Sequence, residues 1–184
     1  MLSFAYKHWE GVVPIPGELR PEDKEILAVI EAGFEGVGAL YEAVKLRAAL
    51  NETMRLAAEV NKYLDHAAPW KEIKTDKSAA GTTIYTAMRA IDSLKVMFCP
   101  VLPFTCARLH EYLGYDSSLF GKQIVDEHRD ALGQHRVLRY LPENAAGRWA
   151  PSQLSPGKPF RKPEPLFRKL DESIIEAERT RLGA

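Results

Sequence analysis

Cysteine is nearly missing from this chain. Cys99 and Cys106 are the two in 184 residues, they sit seven apart in an apolar stretch, and no CxxC spacing offers zinc or redox chemistry. Two buried structural thiols in a reducing cytosol are the reading. Net charge is missing too: Lys plus Arg and Asp plus Glu each number 25. That balance excludes a strong, sequence-blind nucleic-acid binder, which needs surplus cations to release counterions from phosphates, but leaves room for one that works through a few base contacts. No run of about 18 apolar residues exists, so no membrane-spanning helix is expected. No charged segment leads into an apolar run at the start, so no secretory signal is expected and the cytoplasm is the default. The motifs GxxxxGK(S/T), GxGxxG, GxSxG and HExxH are all absent. The five histidines, at 8, 66, 110, 128 and 135, form no i, i+4 pair, so solvated or hydrogen-bonded side chains are expected rather than metal ligands. Without a set of nucleophile, base and orienter, no catalytic centre, metal or cofactor is expected within the chain.

What is present reads as helix. Hydrophobic residues are 46% and charged residues 27%, ordinary for a globular domain with a sizeable core. Leu2, Ala5, Tyr6 and Trp9 share a helical stripe, and Trp9 is expected in the core. Gly11–Pro21, with three prolines and two glycines, is a loop. Pro21 opens a helix with Glu22 and Asp23 at its positive end and Ile26, Leu27, Ile30 and Phe34 on one face. Glycines 33, 36 and 38 predict a kink or a break there. The spacing of Leu40, Val44, Leu50, Met54, Ala57, Val60, Tyr63 and Leu64 predicts a helix from about Ala39 to His66, stopped by Pro69. Further helices are expected over about Ala79–Phe98 and Phe104–Leu113, the latter closed by Gly114. Short connections make this an all-α antiparallel bundle over residues 1–114. Residues 115–184 read as a loop-rich extension packed on the bundle. It has a helical segment around Lys122–Leu132, a short strand or hairpin from Gln134, and a charged helix at the end. Trp149 is expected to pin the extension down.

The stretch "NKYLDHAAPWKEIK", Asn61–Lys74, carries the chemistry. On a helix Asn61 and Asp65 share a face, with Lys62 and Tyr63 turned away. Pro69 ends that helix and leaves Trp70 just beyond it. An amide, a carboxylate and an indole at one helix terminus can read a single unstacked base, the indole by stacking and the polar pair by bonding its edge. The same spacing also fits a Trp70 packed into the bundle.

"ALNETMRLAAEVNKYLDHAAPWK", Ala49–Lys71, resembles the anticodon-binding helical domain of the methionyl-tRNA synthetases, a class I aminoacyl-tRNA synthetase family. Ala49-Leu50, Asn61, Tyr63, Asp65, Pro69 and Trp70 fall in register with its pattern. The likeness continues through "PVLPF", Pro100–Phe104, and "PLFRKLD", Pro165–Asp171, and is weakest over 115–160. It implies that Trp70 stacks on the first base of a CAU anticodon, that Pro69 sets its angle, and that Asn61 and Asp65 lie beneath. The implied partners are the tRNA(Met) anticodon loop and the catalytic domain of the same enzyme, where ATP would be used. That half, with its His-Ile-Gly-His and Lys-Met-Ser-Lys-Ser motifs, is absent, as is the family's Asn-Leu-x-x-Arg segment, whose place falls just before "MLSFAYKHW". The resemblance therefore implies a C-terminal piece of a longer enzyme and weak binding by the piece alone, each lost reader being worth about 1–3 kcal/mol.

"KTDKS", Lys74–Ser78, outlines the family's ATP loop. It lies between two helices, and its better reading is a helix cap from Asp76 or Ser78. Lys71, Lys74 and Lys77 are expected to touch phosphates. Lys158, Arg161, Lys162, Arg168 and Lys169 face either tRNA, the missing catalytic half, or solvent. Two competing readings are a standalone helical interaction module with a buried Trp70, and the anticodon domain of another class I synthetase.

Overall fold

A computed structural model of the chain describes residues 1–167 and 171–183. The first helix, α1 (Leu2–His8), buries Ala5 completely, and the chain then turns through Glu10 and Gly11, both at positive φ. Trp9 is only half-buried, against the edge of the core, with the Lys77 ammonium 5.9 Å from its ring. The proline loop delivers Arg20 to the N-cap of α2 (Pro21–Glu42), where Pro21 presets φ and Asp23 returns a bond to the Arg20 N–H at 2.8 Å.

The expected break near the glycines is not there: α2 runs unbroken through them, and Gly33 and Gly38 serve packing. A Cβ on Gly33 would lie 2.4 Å from Leu56 Cδ1, and one on Gly38 3.0 Å from Trp149 Nε1. The chain breaks later. Ala43 caps α2, Val44 takes the left-handed conformation at φ 58°, and Lys45 N–H bonds back to Leu40 O at 2.9 Å. This is a Schellman ending with valine where glycine is usual. Consequently α3 (Leu46–Ala67) starts seven residues after the expected Ala39. A single helical turn, α4 (Pro69–Glu72), follows, so Trp70 lies inside a helix rather than beyond one. Then come α5 (Lys77–Phe98) and α6 (Pro103–Tyr112). Asp76 caps α5 by accepting from Ala79 N–H at 2.9 Å, as expected for the lysine-bearing linker.

The extension forms an antiparallel hairpin. Lys122–Asp130 is strand β1, not the expected helix, and pairs in register with β2 (Gly133–Leu141), Lys122 opposite Leu141 and Asp130 opposite Gly133. The exposed, charged helix α7 (Ser173–Leu182) lies near the C-terminus. Arg168 and Lys169 of the basic cluster lie outside the described residues. The fold is thus mostly helical with one small hairpin.

Helices α2, α3 and α5 bury one cluster around Ile30, Val37, Leu56, Val60 and Met97. Each such side chain contributes about 1.5–3 kcal/mol through removal from water. A second cluster joins Ala5, Val13, Ile84, Met88 and Leu113 to Leu154 and Phe160 of the extension. The extension is pinned here. Val13 N–H donates to Lys158 O and Phe160 N–H to Gly11 O, both at 2.8 Å. Trp149 donates from Nε1 to Phe34 O at 3.1 Å and sets its ring edge-on to Phe34 and Tyr41, the anchoring expected of it. Gly114 ends α6 at φ 79° directly under this segment, where a Cβ would come within 2.0 Å of Pro159 O. Gly114→Ala is expected to cost about 2 kcal/mol from the left-handed conformation, plus whatever displaces residues 158–160. Urea denaturation measures it, and an unchanged midpoint would show that the segment is not seated there.

Under the extension lies a buried polar knot. Lys95 Nζ donates to Asp92 Oδ1 at 2.5 Å and lies 2.9 Å from His110 Nδ1. Asp92 Oδ2 accepts from Tyr115 Oη at 2.8 Å and Ser152 Oγ at 2.5 Å. With Nδ1 facing an ammonium, His110 carries its proton on Nε2 and donates to Ser117 O at 3.1 Å. Tyr115 stacks on His110 at 4.3 Å, and Lys158 Nζ lies 3.5 Å from the centre of the Tyr115 ring. Burial, helped by the Lys95 charge, drives His110 down to about 4 from its ordinary 6.5. Because the folded value is the lower one, the neutral ring stabilises the fold above pH 6.5, and that contribution is lost as pH falls from 6.5 toward 4. Between pH 7 and pH 5 the loss is expected to be about 2 kcal/mol, and His110→Gln should remove that part of the slope. Denaturation at both pH values compares the two proteins, and equal slopes would mean that His110 titrates normally.

Candidate nucleic-acid interface

The site begins where α3 stops. Ala68 takes φ 43°, ψ 56° and bonds back to Leu64 O at 2.9 Å, turning the chain at a residue that cannot continue the helix before proline. Pro69 then starts α4 buried, and Trp70 projects from its second position with 44% of its surface exposed. The premise of a buried Trp70 is overturned by this geometry.

Trp70, Pro69, Asn61 and Asp65 all line one cleft of about 450 Å³, together with Leu64, Ile84, Met1 and Phe4. Asn61 and Asp65 are exposed on the α3 face that the spacing assigned to them. Sequence reasoning missed Phe4 and Met1 as a wall of this cleft. Neither belongs to the Leu2, Ala5, Tyr6 and Trp9 stripe, and residue order alone could not say which element would lie across from Trp70. The cleft therefore offers an indole face, an amide that both donates and accepts, and a carboxylate that accepts. Lys71 and Lys74 are exposed on the adjoining surface, whereas Lys77 also faces the Trp9 ring.

Tyr63, between Asn61 and Asp65 in sequence, points the other way and is buried. Its hydroxyl donates to Asp23 Oδ1 at 2.5 Å. Asp23 is fully buried and also takes two bonds from the Arg20 guanidinium, both at 3.0 Å. Burial alone would raise the Asp23 carboxyl, but the bonds from Arg20 and Tyr63 outweigh it and hold the group below its ordinary value. Burial, then the bond to Asp23, pushes Tyr63 upward, so its proton stays on the phenol.

Among the described residues, no group of three or more His, Cys, Asp or Glu side chains is placed to hold a metal ion, and no helix is long and apolar enough to cross a membrane. The cleft sets an exposed indole beside an amide and a carboxylate, a combination able to meet a flat, hydrogen-bonding group.

The chain is similar to known proteins in sequence and in fold. A family model described as the anticodon binding domain of methionyl tRNA ligase matches residues 13–140. Methionine–tRNA ligase from Thermomicrobium roseum is 51% identical over the whole of this chain, which spans 32% of that protein. The Chloroflexus aggregans methionine–tRNA ligase is 48% identical over 98% of the chain, which spans 30% of it. The apo crystal structure of Mycobacterium tuberculosis methionyl-tRNA synthetase superposes with a TM-score of 0.72 at 21% identity, over 92% of this chain and 30% of that one, a likeness of fold. The chain belongs to the methionyl-tRNA ligase anticodon-binding domain family.

Proposed function

We propose that this chain reads the CAU anticodon loop of tRNA(Met) as the C-terminal part of a cytoplasmic methionine–tRNA ligase. In the whole enzyme, methionine, ATP and tRNA give methionyl-tRNA, with ATP used in the catalytic domain. In this reading residues 1–114 are the anticodon-binding antiparallel bundle and 115–184 an extension laid across it. The observation that carries the reading is the half-exposed Trp70 on one cleft with Pro69, Asn61 and Asp65. The first anticodon base stacks on Trp70, at an angle set by Pro69, and the amide and carboxylate meet its edge. Lys71, Lys74 and Lys77 touch phosphates, which positions the loop without specifying it.

Fluorescence titration with a CAU stem-loop, beside one whose first anticodon base is changed, tests the proposal. Quenching selective for CAU and lost in Trp70→Phe supports it. Equal quenching by both loops, or quenching that persists in the variant, sinks it.

A further inference from the structure

Trp70 rides on a helix of one turn, joined to α3 through a left-handed alanine. A four-residue helix makes too few internal bonds to hold an angle by itself. Something outside it must do so, and the structure shows what. Glu72, two residues after Trp70, takes a bond from Arg20 Nη1 at 3.3 Å and a longer one from Thr83 Oγ1 on α5 at 3.4 Å, and Arg20 is its one cation among the described residues. Arg20 in turn is held from three sides. Its guanidinium forks onto Asp23, its Nη2 donates to Thr83 Oγ1 on α5 at 2.6 Å, and its backbone caps α2. Asp23 also accepts the Tyr63 hydroxyl, on the back of the α3 turn that bears Asn61 and Asp65.

We infer that Arg20 and Glu72 are positioning residues for anticodon recognition, clamping α4 to the start of α2 so that the Trp70 indole stands at a fixed angle to Asn61 and Asp65. The inference rests on the proposed anticodon reading for its consequence, but the clamp itself exists without RNA. Neither residue lines the cleft. Arg20 suits the task because its planar fork serves Asp23, Thr83 and Glu72 at once, which a lysine ammonium cannot do.

The test separates the clamp from the reading. The chain is labelled with 5-fluorotryptophan, so that Trp9, Trp70 and Trp149 give three fluorine resonances, assigned by single Trp→Phe changes. Glu72→Ala is expected to shift or broaden the Trp70 signal alone, with the other two in place and the melting temperature within a few degrees. Glu72→Gln, which keeps an oxygen for Arg20, should restore most of it. With the CAU stem-loop, Glu72→Ala should lose about fivefold in affinity relative to a changed-base loop, and that loss should vanish in a Trp70→Ala background. An unmoved Trp70 signal overturns the clamp, and so does movement of all three signals, which would mean general loosening. A CAU loop that fails to bind the parent chain defeats the anticodon reading, while the fluorine result still decides the clamp. An affinity gain for both loops would show that Glu72 acts only as a negative charge near phosphate.

Discussion

Trp70→Ala is expected to weaken binding of a CAU stem-loop by about 1–3 kcal/mol, roughly 5- to 150-fold in Kd, while leaving the melting temperature nearly unchanged. The two halves of that result have separate causes. The affinity loss follows from removing a face on which a base can stack, a contribution indifferent to which base it is. The unchanged stability follows from Trp70 being 44% exposed and half outside the core, so that its removal leaves no cavity among packed side chains. Trp70→Phe should keep a smaller platform and an intermediate affinity. Selectivity between CAU and a changed first base should fall further with Asn61→Ala or Asp65→Ala, which leave the platform but remove edge contacts. Isothermal titration with the two loops reads both effects. A Trp70→Ala protein that binds as well as its parent would place the contact elsewhere.

Lys95→Met is expected to cost about 3–5 kcal/mol of folding stability, the largest effect of any single change considered for this chain. Lys95 and Asp92 are 4% and 3% exposed, and the ammonium faces the carboxylate from within hydrogen-bond reach. Methionine fills the volume but leaves the Asp92 charge with only the hydroxyls of Tyr115 and Ser152. Those bonds are too few to replace both water and the ammonium. Pairing the change with Asp92→Asn removes the stranded charge and should recover part of the loss. Because Tyr115, Ser117 and Ser152 are the extension's ends of this network, the single variant should also expose residues 115–160 to protease before the helices unfold. Urea denaturation and limited proteolysis report the two effects. A variant within about 1 kcal/mol of the parent would mean that Asp92 finds water on its own.

Much of this was legible in residue order. The helices α2, α3, α5 and α6 announce themselves by apolar spacing, by Pro21 and Asp76 at their starts and by Gly114 at an end, because helical bonds are local and their signals lie within a few residues of one another. The misread boundaries had a local cause as well. Val44 stands at the left-handed end of α2 without the glycine that usually marks it, and the glycines that are present take the close approach of Leu56 and Trp149 instead. Strand β1 gives a different lesson. "KQIVDEHRD" has only Ile124 and Val125 as apolar residues, so no period shows, and its conformation comes from pairing with β2. That pairing also brings His128 opposite His135, with ring centroids 5.6 Å apart, which the spacing of the histidines did not suggest.

By itself, then, the order of residues determined a mostly helical domain and a Pro-Trp corner beside Asn61 and Asp65. Each of those follows from interactions spanning a turn or two of chain. Only the tertiary structure decided that Trp70 faces outward, that Phe4 stands across its cleft, that Arg20 reaches Glu72, and that Lys95 and Asp92 are buried rather than a surface pair. These outcomes depend on which element covers which. A covering segment, such as residues 115–160 over α5, changes the dielectric around a side chain without changing one residue near it in sequence.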